Sequence, residues 1–212
     1  MTRLPIAWTK TSEKIPEEIR DACADLFEDV ATLHCKWDCY LALFQDAENS
    51  QLVSNLARSF FHIVEESLRA DILISICRLS DPSRSLARVN RSFAILLGTC
   101  ADFPKVDNLV TAFLAACGAV RLHRNRSIAH NDLRSAIQIK QYLLPGVGRS
   151  DIDEILRLAR EILRAVYAHY ANVDPEFQPA CSGGARELID WIKHVQHSLA
   201  AQIVHPPDGR RS

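Results

Sequence analysis

The stretch KVDNLVTAFLAACGAVRLHRNRSIAHND, residues 105–132, decides the reading of the chain. Leu109, Val110, Phe113, Leu114, Cys117 and Val120 recur at steps that place them along one side of an α-helix. Past Val120 the character changes: Arg121, His123, Arg124, Arg126 and His130 crowd into ten residues. One helix from about Lys105 to Asp132 is expected, packed at its start and basic at its end. Cations in a last helical turn are stabilised by about 0.3–1 kcal/mol each by the helix dipole, so the arginines alone have an ordinary structural explanation.

Working outward, the same period recurs. A first helix is expected from Pro16, a residue suited to a first turn, with the stripe Leu26, Val30, Leu33, Trp37, Leu41 and Phe44. A second runs from about Ser50 to Leu79, with Leu52, Leu56, Phe60, Ile63, Ser67 and Ile74 on its core side, and stops at Asp81-Pro82. The few residues between them imply an antiparallel hairpin. A shorter helix over Arg91–Cys100, capped by Asn90, precedes the break at 101–104. Residues 133–149 read as either an extended arm or a short helix. Further helices are expected from Ser150 to Asn172, with Ile152, Ile155, Ala159, Ile162, Val166 and Tyr170 inward, and from Ala185 to Ile203, with Leu188, Trp191, Ile192, Val195 and Leu199 apolar. The fold class is all-α, an up-and-down bundle of about five main helices. It forms a single domain over 1–212, with loose tails at 1–14 and 205–212.

Composition supports this. Only seven of the 212 residues are glycine, and long runs free of Gly and Pro suit helices and starve β-turns. A net charge of −1 supplies no global field for nucleic acid, so any RNA contact has to come from a local basic patch. No apolar run approaches the roughly 18–20 residues of a membrane span, and the first ten residues lack an apolar signal core. The seven cysteines include no CxxC pair and sit mostly in apolar surroundings. A cytoplasmic protein with reduced, buried thiols and no membrane partner is expected.

The segment Arg124-Asn125-Arg126-Ser127-Ile128-Ala129-His130 resembles the RNase motif of the HEPN superfamily: an arginine, a polar residue beside it, and a histidine a few positions on. Asp132 also resembles a version of that motif. A second stretch, DILISICRLSDPSRS at 71–85, resembles the end of a long helix in the AbiU-like abortive-infection branch, through Arg78-Leu79-Ser80-Asp81. The resemblance covers roughly residues 20–200 in helix order. It implies a metal-independent endoribonuclease of toxin or phage-defence type, needing no cofactor. Its partners would be RNA, a second copy of the chain and an antitoxin or other protein. Arg124, Asn125 and His130 would be catalytic, and Arg121, His123, Arg126 and Asp132 would bind substrate. Imidazole titrates near neutrality and suits proton transfer, while a guanidinium forks onto two phosphate oxygens.

On an ideal helix, six positions rotate by about 240°, so Arg124 and His130 do not share a face, whereas His123, Arg126 and His130 do. Either the helix distorts before His130 or one site draws on two subunits, and Arg126 rivals Arg124 for the phosphate. Two other readings stand beside the enzyme. One is a non-catalytic HEPN module binding a partner protein or a nucleotide. The other is a plain bundle in which the basic stretch merely ends a helix.

Other clusters read as structural. His34, Cys35 and Cys39 lack a second ligand pair for zinc. His62, Glu65 and Glu66 suit a solvated face, as do His169, His194 and His197. Asp71, inside an aliphatic run, is expected to be buried and paired, through either a structural hydrogen bond or a site contact.

Overall fold

A computed structural model of the chain describes residues 13–85, 88–99, 103–124, 147–175 and 184–204. The fold is all-α. Its helices in chain order are α1 (Glu17–Tyr40), α2 (Ala47–Leu79), α3 (Pro104–Ala116), α4 (Gly118–His123), α5 (Arg149–Ala171) and α6 (Gly184–Val204). A π-helical turn spans Leu41–Gln45, and a 3-10 turn spans Phe93–Leu96. A minimal antiparallel ladder pairs β1 (Arg84–Ser85) with β2 (Arg88–Val89), Arg84 opposite Val89 and Ser85 opposite Arg88. The chain divides into two compact units, Met1–His34 with Ala70–Ala180, and Cys35–Arg69 with Cys181–Ser212.

In the first unit α3 packs along α5. Helix α5 buries Ile152, Ile155, Ala159, Ile162 and Val166, as its period demands, together with Leu156, Leu163 and Tyr167. The Tyr167 ring meets Phe27 of α1 edge-on at 6.1 Å. Burial, with Cys23 nearby, pushes its phenol up to about 12. From the other side come Val106, Val110, Phe113, Cys117 and Val120, all fully buried, and Phe113 meets Phe93 at 4.8 Å. The helix ends are closed by local chemistry. Pro104 opens α3, and the Gly148 N–H donates to the Asp151 carboxylate at 2.8 Å at the start of α5. Asn172 ends α5 in the left-handed conformation at φ 54°.

The second unit has its own core of Leu43, Leu52, Val53, Phe61 and Ile189, against which Phe44, Ala185 and Ile192 pack. Trp37 stacks on Tyr40 at 5.5 Å, and Tyr40 leans on Phe44 at 5.6 Å. Lys193 of α6 pairs with Glu48 at 3.2 Å.

Several expectations are corrected. Leu26, Val30, Leu33 and Trp37 are buried as expected, but beyond Tyr40 the buried residue is Leu43, with Leu41 and Phe44 only half-buried. The wider π turn slips the helical phase there. Helix α2 leaves helical geometry at Ala57 (φ −156°, ψ 73°), which resets the phase again. Leu56, Phe60, Ile63 and Ile74 are exposed, while Val53, Phe61, Ile72, Leu73, Ile76 and Cys77 are buried. The helix expected over Arg91–Cys100 is only a 3-10 turn, ended by Gly98 at φ +72°. Asn90 caps no helix. Its backbone N–H donates to Ser83 O and its amide to Pro82 O, closing the small ladder. Among the described side chains of α6 the buried residue is Ile189, and Leu188, Trp191 and Val195 are exposed, while the side chain of Leu199 lies outside those described. Asp71 is exposed rather than buried. The thiols are not all reduced: Cys35 is disulfide-bonded, while Cys23, Cys39, Cys77 and Cys117 are free.

Candidate functional site

The basic stretch begins where α3 hands over to α4. The expected single helix is two, joined at Cys117, whose ψ of −9° loosens the turn before Gly118. Of the site residues read from the sequence, Arg121, His123 and Arg124 are described, while Asn125, Arg126, His130 and Asp132 lie outside the described residues. So does most of 133–149.

Arg121 reaches the C-terminal end of α2. Its guanidinium donates to the carbonyl oxygen of Ser80, lies 3.5 Å from the Ser80 hydroxyl and faces the Asp81 carboxylate at 3.6 Å. The last carbonyls of a helix have no partner within it, so a cation donating there both satisfies an orphan acceptor and meets the negative end of the dipole. Ser80 is itself buried. Its N–H is shared between Ile76 O and Cys77 O at 3.1 Å, and its hydroxyl donates to Cys77 O at 3.1 Å. The Cys117 thiol lies near the same serine, whose hydroxyl holds its pKa down, but burial outweighs this and pushes the thiol up to about 12.

The two sequence stretches singled out separately therefore meet. Ser80 and Asp81, at the end of the 71–85 stretch, grip the first arginine of the 121–132 stretch. Leu79 is buried beneath them and Arg78 is exposed.

Arg124 follows one turn beyond Arg121. Its backbone N–H donates to Arg121 O and Val120 O, and its side chain is half-exposed. It sits close enough to Cys77 for its charge to act on that thiol. Burial raises Cys77, and the positive charges of Arg124 and Arg121 partly oppose the rise. The end of α2 thus lies in a field set by two guanidiniums, with one carboxylate, Asp81, opposing. His123 is half-exposed in the last turn of α4.

Sequence reasoning singled out Ser80 within Arg78-Leu79-Ser80-Asp81 and placed Cys117 on the core side of a helix, but missed that Arg121 is held at Ser80. The available signal was a serine immediately after a helix end and before Asp81-Pro82, where a hydroxyl and a carboxylate have unsatisfied backbone to serve.

His34 is a second perturbed group in the same unit. Its ring bonds to the Leu156 backbone, while Nε2 is buried with no hydrogen-bond partner. Burial, with the nearby Arg160 charge adding, lowers its pKa to about 4. His169, His194 and His197 are exposed, and His169 stacks on Phe103 at 4.4 Å. Among the described residues, no helix is long and apolar enough to cross a membrane.

The fold is all-α, and residues 16–183 match the model of a HEPN family. That family is AbiU2, and the chain belongs to it, placing it in the abortive-infection branch of the superfamily. No curated protein and no solved structure matches the chain.

Proposed function

We propose that this chain is a metal-independent endoribonuclease of HEPN type, acting as a toxin or phage-defence factor in the cytoplasm. It works as a single HEPN domain that pairs with a second copy. The observation that carries the reading is the clasp of Arg121 on Ser80 and Asp81, which fixes α4 so that Arg124 stands at its end.

In this reading the 2′-hydroxyl of RNA attacks the adjacent phosphorus, and the bond to the 5′-oxygen breaks. His130 moves the proton, Arg124 neutralises the charge that builds on the phosphate oxygens, and Asn125 orients the phosphate or the ribose. The products are a 2′,3′-cyclic phosphate and a 5′-hydroxyl. His123, Arg126 and Asp132 contact the substrate. Arg121, whose guanidinium is committed to Ser80 and Asp81, serves as a positioning residue for the helix that carries Arg124.

The test is cleavage of a mixed RNA in EDTA by the wild type, Arg124→Ala and His130→Ala. Cutting by the wild type alone, with cyclic phosphate ends and with both variants folded, is the expected result. A folded wild type that leaves every RNA intact removes the enzymatic reading and leaves the non-catalytic module.

A further inference from the structure

The second unit holds a cavity of about 390 Å3, within the usual size range of small-ligand sites. Its floor is aromatic, made by the half-buried Phe44 and the buried Phe61, which is already anchored in the core. Its wall is one side of α2. Arg58, His62 and Glu65 follow one another at i, i+4 and i+7, so their side chains rise along a single face, and Ser54 enters from just before the break at Ala57. Arg58 makes no ion pair among the described residues. Glu65 sits about 10 Å further along the helix axis. Its negative charge is felt by Tyr40, whose hydroxyl is raised first by burial and then by Glu65.

The cavity is therefore lined by a guanidinium and, seven residues on along the same face, a carboxylate, with His62 between them and with a serine hydroxyl and two flat apolar rings completing the lining. We propose that it binds a small phosphomonoester built on a flat ring with a hydrogen-bond donor at its far end. The phosphate would lie on Arg58 and Ser54, since a guanidinium engages two phosphate oxygens at once. The ring lies on Phe44 and Phe61, and the donor reaches Glu65. None of these residues belongs to the 121–132 stretch, so the site stands or falls independently of RNA cleavage.

The test is isothermal titration of the full chain with 4-aminophenyl phosphate, alongside inorganic phosphate and 4-aminophenol as half-ligands. One-to-one binding of the whole probe is expected, with each half-ligand weaker. Arg58→Gln and Glu65→Gln should each weaken the whole probe by about tenfold, the size of a lost charge-assisted contact. Arg58 is exposed, so its replacement leaves the fold intact, which circular dichroism checks. Absence of binding at millimolar probe overturns the proposal. So does unchanged affinity in folded Arg58→Gln, or inorganic phosphate binding as tightly as the whole probe.

Discussion

Arg121, expected from the sequence to contact substrate, also makes a contact within the fold. Within a run of arginines it looks like a ligand for phosphate, and its guanidinium holds Ser80 and Asp81, forty residues upstream in the chain. Arg121→Met is expected to cost about 1–2 kcal/mol, the scale of charged hydrogen bonds at a partly exposed site, read as a lower urea midpoint. His34 makes a sharper forecast. Its folded pKa of about 4 lies below the 6.5 of the free group, so the unfolded chain binds the proton more readily. Stability is then full above pH 6.5 and falls as pH drops toward 4, by at most about 3 kcal/mol. Urea melts from pH 7.5 to 4.5 should show this slope, and His34→Gln should flatten it. Neither role was legible in the sequence, because both depend on which distant backbone meets the side chain.

At the scale of elements, regular helices were legible and interrupted ones were not. Helix α5 follows its 3.6-residue period from Ile152 to Val166, and its expected bounds, Ser150 to Asn172, fall within one residue of the observed Arg149–Ala171. Helix α2 does not, because Ala57 leaves helical geometry and because Phe60 and Phe61 are equally apolar neighbours, so nothing local says which one turns inward. Substitution separates them. Phe61→Ala should cost about 3–5 kcal/mol as a buried aromatic lost, while Phe60→Ser should change stability by no more than about 0.5 kcal/mol. Thermal unfolding reads both. The end of α5 offers a backbone test: Asn172→Ala at φ 54° should destabilise by about 1 kcal/mol, and Asn172→Gly should be neutral or better.

At the scale of the molecule, the all-α class was readable from the helical periodicity along the chain, and the HEPN branch from short stretches, the basic run at 121–132 and Arg78-Leu79-Ser80-Asp81. Those stretches are legible because they carry charge and helix-ending chemistry whose spacing is local. That one clasps the other is a tertiary fact with no local trace. If the pairing of two copies brings Arg124 and His130 into one site, mixing Arg124→Ala with His130→Ala subunits should restore up to about a quarter to a half of wild-type RNA cleavage, by the statistics of a two-fold dimer. Inert mixtures of folded, dimeric variants would confine each site to a single chain.

Three of the free thiols of the first unit, Cys23, Cys77 and Cys117, are fully shielded from solvent, and burial lifts the last two away from the reactive thiolate form. A sulfhydryl reagent can reach them only when the helices around them part. Their labelling rate is thus an internal clock for the opening of this unit, while the half-buried Cys39 of the second unit registers smaller local excursions on its own, faster hand.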